Sequence, residues 1–211
     1  MRRNRRDVLA GLACTMLPLR AAAESPKGLV TLQAADGKLR LAPAPAAETA
    51  VWAFAGTVPG PLLRVRKGEL LEVRLVNRLA RPLSLCWHGV RIVNAMDGVA
   101  GLTQPPVAPG GSFDYRFVPP DAGLYWYHPH VFPFSAEEIG RGLYGALIVD
   151  EAEPPQVDQD LLLVLDDWSL DAAGRISGDF LDPVQARGAG RIGAFVTVNS
   201  KPVPLAAEAR P

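Results

Sequence analysis

Cysteine and histidine are scarce in this sequence, which has two cysteines and three histidines among 211 residues. Charge of one sign is also lacking, because 22 basic and 22 acidic side chains give a formal net charge of zero. Without an excess of positive charge, the sequence gives no electrostatic reason to expect a nucleic-acid partner. The apolar stretch near the N-terminus is too short and too interrupted to span a bilayer, so the sequence predicts no permanent membrane anchor.

The first 23 residues differ in composition from the rest. Four arginines between positions 2 and 6 precede a modest apolar stretch and Ala21-Ala22-Ala23, which together are typical of a cleaved signal peptide. The segment Arg5-Arg6-Asp7-Val8-Leu9 is similar to a twin-arginine export signal and predicts a periplasmic protein. Cleavage after Ala23 leaves Cys86 as the sole cysteine, which excludes a disulfide within the mature chain.

The remaining sequence is rich in turn formers, with 20 glycines and 20 prolines in the whole chain. Short runs of alternating apolar residues, about 8–12 residues apart, predict an all-β sandwich or barrel. The candidate strands are residues 29–34, 38–42, 49–55, 61–65, 70–75, 83–88, 112–117, 123–128 and 144–150. One helical turn is predicted over 135–141, with Ser135 as N-cap and Glu138 at the capping-box position.

The chain divides near residue 150. Residues 24–150 are predicted to form one complete domain, and Glu151-Ala152-Glu153-Pro154-Pro155 is typical of a linker. The apolar run 161–165 predicts a strand buried on both faces. We therefore expect residues 156–211 to be the start of a second domain that this sequence does not complete.

All three histidines fall in two short segments. His128 and His130 are two residues apart, so on a strand they point to the same face, about 6.6–6.8 Å apart. His88 ends another apolar run and is followed by Gly89. Imidazole is a suitable ligand for copper, zinc, iron or nickel. By spacing alone, these residues are either metal ligands or strand-end histidines that hydrogen-bond to backbone carbonyls.

The segments around these histidines decide between the two alternatives, because their order, spacing and residue types resemble the multicopper oxidase family of laccase-like enzymes. The segments that carry the resemblance are Thr57-Val58-Pro59-Gly60-Pro61, Cys86-Trp87-His88-Gly89, Met96-Asp97-Gly98-Val99, Tyr125-Trp126-Tyr127-His128-Pro129-His130, Gly140-Arg141-Gly142-Leu143-Tyr144-Gly145 and Asp166-Asp167-Trp168. The resemblance runs from about residue 28 to residue 200.

The resemblance implies an all-β, Greek-key cupredoxin sandwich that supplies part of a trinuclear copper cluster. Position by position, His88, His128 and His130 match ligands of the paired, type-3 coppers. Cys86 stands where the family has the histidine that binds the type-2 copper. Asp97 lies in a segment that in the family is close to the dioxygen route, which implies a role in proton delivery.

The cysteine at position 86 leaves three alternatives open. A thiolate is a soft ligand that favours Cu(I). A buried thiol instead packs as a small hydrophobic group and leaves the type-2 copper with weaker support. The third alternative is a degraded, copper-poor site.

The function that the resemblance implies is the reduction of dioxygen to water while an unknown phenolic, amine or metal-ion donor is oxidised. After residue 130 the sequence contains no histidine, so the family's mononuclear copper site and the remaining cluster ligands have no counterpart here. We therefore expect the N-terminal part of a longer oxidase, inactive alone. The alternatives are an exported scaffold without enzymatic activity and a copper-binding or copper-tolerance module. The sequence leaves the oligomeric state open.

Overall fold

The computed structural model describes residues 28–41, 48–157, 159–188 and 190–202, so the predicted signal peptide lies outside the described residues. Eight strands precede residue 151 in this part of the chain. They are β1 (Val30–Leu39), β2 (Thr49–Phe54), β3 (Leu63–Arg66), β4 (Leu71–Asn77), β5 (Cys86–His88), β6 (Ser112–Phe117), β7 (Gly123–His128) and β8 (Gly145–Asp150).

These strands form two four-stranded sheets, ordered β2-β1-β4-β6 and β3-β8-β7-β5. The β1–β4 and β3–β8 pairs are parallel and the other pairs are antiparallel, so strands distant in sequence lie side by side. The inner faces of both sheets pack into one core. This arrangement is a cupredoxin-like β-sandwich, which confirms the predicted all-β fold.

The alternating sequence of β4 shows why these segments become strands. Leu71, Val73 and Leu75 are buried, and the residues between them face away from the core. Aromatic residues from the opposite sheet complete the core, where Trp87 packs against Tyr115 with a ring-centroid distance of 5.5 Å. The burial of one face per strand fixes the register, since a slip by one residue would expose the whole apolar set.

A third sheet follows residue 150, with the order β11-β10-β9. Its strands are β9 (Leu165–Trp168), β10 (Phe195–Val198) and β11 (Lys201–Pro202). The prediction of a doubly buried strand over 161–165 was wrong, because the strand begins at Leu165, and Leu161, Leu163 and Leu165 are exposed. No described element covers the face to which these alternate side chains point.

Two short α-helices are described, α1 (Ser135–Gly140) and α2 (Pro183–Arg187). Helix α1 lies where the sequence predicts it, but the predicted capping box is wrong. Its N-cap is Phe134, without a side-chain cap, and Glu138 is fully buried instead of reaching back to the helix start. Within the described ranges, neither helix has the length and apolar character to cross a membrane.

Candidate metal centre

Strands β5 and β7 carry the candidate ligands on one face of their sheet. The antiparallel register places Cys86 opposite His128, Trp87 opposite Tyr127 and His88 opposite Trp126. Because side chains alternate along a strand, Trp87 and Tyr127 point into the core, where both are buried. The cysteine, the two histidines and Trp126 therefore share the outer face of the sheet.

Two of the imidazoles face each other directly. Nδ1 of His88 lies 3.2 Å from Nε2 of His128. Nδ1 of His128 lies 2.9 Å from the carbonyl oxygen of Pro129. A carbonyl only accepts hydrogen bonds, so Nδ1 of His128 carries the proton and Nε2 keeps its lone pair. This is the arrangement that holds a histidine ready to bind a metal through the other ring nitrogen.

The electrostatic setting also favours metal binding at His128. Burial is the main cause that lowers the pKa of His128, although the contact with the Pro129 carbonyl opposes it. A lowered pKa keeps the imidazole neutral near pH 7, and neutral imidazole is the form that binds copper. Metal–imidazole bonds are about 2 Å long, so nitrogens 3.2 Å apart are spaced as two ligands of one ion would be. The donor pair therefore fits copper.

His130 stands to one side of this pair. It follows the end of β7, where its backbone N–H donates to the Ser84 hydroxyl over 3.2 Å. Its ring is exposed, and its centroid lies 6.4 Å from that of His128. In the described ranges, no three histidine, cysteine or acidic side chains converge on one metal position. The arrangement is a facing pair with a third imidazole beside it.

Cys86, the first residue of β5, is a free, half-buried cysteine. Burial, and then the charge of Asp97, raise the pKa of Cys86 to about 11. At neutral pH the metal-free group is therefore a thiol, which behaves as a small apolar side chain.

The loop that carries Asp97 is fixed against β5 by the glycine that follows it. Gly98 has a φ of 80°, and a Cβ at this position would overlap the carbonyl oxygen of Leu85. The close approach of the two backbones holds the loop with Asp97 next to β5, and the charge of Asp97 helps to raise the pKa of Cys86.

Gly98→Ala is expected to lower the free energy of unfolding by about 3 kcal/mol, because the new methyl combines an unfavourable φ with a clash against strand backbone. Urea denaturation measures this change. Gly101→Ala is the matched control, since Gly101 has a φ of 83° but open space within 4 Å of the position that a Cβ would occupy. We expect the control to cost about 1 kcal/mol. Equal costs for both variants would contradict the role of the Leu85 contact.

Trp126 lies next to the histidines on the outer face of the sheet. Its ring centroid lies 4.1 Å from that of His128 and 5.0 Å from that of His88. Its indole packs on both imidazoles, and 37% of the residue stays exposed. Because side chains alternate along a strand, the sequence alone places residues 126 and 128 on the same face of β7, and this spacing could have predicted the contact.

Comparisons with known proteins show what the chain is similar to. A family model described as multicopper oxidase matches residues 37–154. The chain is 40% identical over 135 residues to a multicopper oxidase of Mycobacterium tuberculosis, a match that covers 62% of this chain and 26% of that protein. It is 36% identical over 168 residues to copper resistance protein A of Pseudomonas syringae pv. tomato, which covers 77% and 27%.

Solved structures show the same similarity. A multicopper oxidase from Pseudomonas thermotolerans superposes with a TM-score of 0.77 at 41% identity, over 83% of this chain and 42% of that one. A second one, from Pseudomonas parafulva, superposes with a TM-score of 0.75 at 43% identity, over 82% and 42%. The chain thus spans about a quarter of the two curated relatives and less than half of these structures.

Proposed function

The chain belongs to the multicopper oxidase family, and we propose that it supplies the type-3 copper ligands of a trinuclear cluster. His88 and His128 would hold one copper through their facing nitrogens, and His130 would hold the second. The observation that carries this proposal is the 3.2 Å separation between Nδ1 of His88 and Nε2 of His128 on the outer face of the sheet.

Copper is the cofactor of this family and, when bound, supplies electron transfer from a reducing substrate to dioxygen, which becomes water. The protein's own contribution is to position and protect the ligands. The Pro129 carbonyl fixes the tautomer of His128, and the Trp126 indole covers both facing imidazoles. Asp97, held beside β5 by Gly98, is the carboxylate that we propose for proton delivery. The reducing substrate would be a phenol, an amine or a metal ion.

The sequence contains three histidines, so the chain offers three imidazoles and the thiol of Cys86 to a cluster. We propose that donors from outside this sequence complete the cluster, and that residues 1–23 direct export to the periplasm. In this proposal residues 24–150 are the first cupredoxin domain, 151–155 a linker and 156–211 part of a second. The purified chain alone is expected to show no dioxygen-dependent turnover of an electron donor.

A copper-binding titration of the folded chain tests the ligand assignment. Replacing both His128 and His130 with alanine is expected to weaken copper binding at least about a hundredfold, because two of three imidazole ligands are lost. The measurement is isothermal titration with Cu(I) or Cu(II), together with the metal content after dialysis.

Cys86→Ala is the matched control, because it changes the same face of the sheet and leaves all three imidazoles in place. We expect this variant to bind copper as the unchanged chain does, since the facing nitrogens do not involve the thiol. A tenfold loss would instead establish the thiolate as a ligand. If neither the unchanged chain nor the double variant binds copper, the scaffold alternative replaces the proposal.

A copper-tolerance module is the second candidate function, and the name of a relative favours it. The match to copper resistance protein A covers 77% of this chain. The two candidates differ in the fate of the bound copper, since a tolerance module protects cells by holding the metal. Growth of cells that express the chain on toxic copper separates them: protection that requires His128 and His130, without oxidase turnover, would support tolerance.

A further inference from the structure

A cavity of about 300 Å³ lies next to the candidate metal centre, between the outer face of β7 and β8 and the segment that leads into β9. Its apolar walls are Trp126, Ile139, Ala146, Val164 and Leu165. The ring of Trp126 thus forms a wall of the cavity and also packs on His128. The other residues that line the cavity have no role in the proposed copper site.

One carboxylate, that of Asp166, stands in this apolar lining. Its carboxylate accepts hydrogen bonds from the Tyr144 hydroxyl and from the backbone N–H of Asp167. A carboxylate has about four acceptor positions, so acceptor capacity remains after these two bonds. Asp166 therefore has room for a donor that enters the cavity.

Asp166 also has no ion-pair partner among the described residues. The guanidinium whose charge acts on Asp166, that of Arg191, is bonded to Asp179 at 2.9 Å. Burial raises the pKa of Asp166, because a carboxylate in an apolar setting without its own cation is costly. A ligand that carries a positive charge would offset this cost.

We propose that this cavity binds a small organic ammonium ion with an apolar body, such as an arylmethylamine. The ammonium group would donate to Asp166, and the ring would lie against the indole of Trp126. Charge-assisted hydrogen bonds and the packing of one aromatic ring against another both strengthen such binding. A cavity of about 150 Å³ accepts benzene, so 300 Å³ accommodates one ring with a short aminoalkyl arm. This inference goes beyond the proposed function, because it concerns binding outside the copper ligands.

Titration of the copper-free chain with benzylammonium and with benzyl alcohol tests the inference. The two probes share a ring and differ in charge. We expect benzylammonium to bind at least tenfold more tightly at neutral pH, measured by calorimetry and by tryptophan fluorescence. Ala146→Leu, which places a larger side chain in the cavity, is expected to weaken both probes. Asp166→Asn, which keeps an acceptor for Tyr144, is expected to remove the preference for the amine.

Equal binding of the two probes to the unchanged chain would overturn the proposal, and so would binding that Ala146→Leu leaves intact. Thermal melting of each variant checks that it folds, and the comparison of the two probes on the unchanged chain decides the question even where a variant does not fold. Copper titration of the same samples is independent of this result. Loss of copper binding alone contradicts the proposed function and leaves the amine site standing.

Discussion

Replacing Trp87 with alanine is expected to lower the free energy of unfolding by about 3–5 kcal/mol, the usual cost of removing a buried aromatic side chain. The indole is 1% exposed. It packs against the rings of Tyr115, Phe117 and Tyr127 at centroid distances of 5.5, 4.9 and 6.1 Å. The cavity left by alanine would therefore lie at the point where both sheets meet. Urea denaturation at neutral pH measures the loss.

Trp87→Phe separates packing from hydrogen bonding at this position. The indole Nε1 is buried and has no hydrogen-bond partner in the described part of the chain. Phenylalanine removes this unpaired donor, whose burial costs about 1–3 kcal/mol, while it keeps most of the aromatic contact. We therefore expect a net cost below about 2 kcal/mol. A cost equal to that of alanine would show that Nε1 has a partner, such as a buried water.

The same substitution connects the core to the candidate metal centre. Trp87 stands between Cys86 and His88 on a strand of three residues, so its side chain anchors the strand from the core side. When this anchor is lost, Nδ1 of His88 is no longer held against Nε2 of His128. Trp87→Ala is therefore expected to weaken copper binding, although the Trp87 side chain points into the core and not to the face that carries the candidate ligands.

Simple alternation was enough to predict several strands. The bounds of β6 and β7 match the predicted residues 112–117 and 123–128, because each strand has one face in the core. β1 differs: the sequence predicts two strands with a break at Asp36-Gly37, but β1 continues through Gly37, which pairs with Val51. A turn signal is local, whereas the pairing that overrides it comes from a strand elsewhere in the chain.

The candidate metal centre was predictable in part. The sequence indicates metal ligands through the spacing of His128 and His130 and through the position of His88 at the end of an apolar run. The pairing of β5 with β7 then places His88 beside His128. The sequence predicts β5 over 83–88, but regular pairing begins only at Cys86. The Pro129 carbonyl that fixes the tautomer and the burial that lowers the pKa of His128 depend on tertiary contacts.

Glu138 is a buried acid whose environment the sequence pattern did not predict. The sequence predicts that Glu138 caps the start of its helix. In the structure Glu138 is 0% exposed, and both of its carboxyl oxygens have no hydrogen-bond partner in the described ranges. Burial raises its pKa to about 8, although the charge of Arg81 opposes the shift. The folded protein therefore keeps Glu138 protonated at neutral pH.

The unfolded chain loses this proton near its ordinary pKa of about 4.3. Between about pH 4.5 and pH 8 the folded state binds one more proton than the unfolded state, so stability falls as the pH rises. The slope is about 1.4 kcal/mol per pH unit. From pH 5 to pH 8, Glu138 is therefore expected to cost the protein about 3–4 kcal/mol.

Glu138→Gln replaces the protonated acid with a neutral side chain of similar shape and is expected to remove this slope. Thermal or urea denaturation from pH 5 to pH 8 measures the difference between the two proteins. We expect that difference to change with pH in favour of the variant, which becomes the more stable protein near pH 8.

Glu137→Gln is the matched control on the same helix. Burial acts against the shift, but hydrogen bonds from Arg81 and Arg141 lower the pKa of Glu137. Its stabilisation is therefore fully present above pH 5 and is lost only as the pH falls through the lowered pKa. The control is expected to be less stable than the unchanged chain by a constant amount from pH 5 to pH 8. A stability difference for Glu138→Gln that is equally constant would show that Glu138 is already ionised, and that a cation or water reaches it inside the fold.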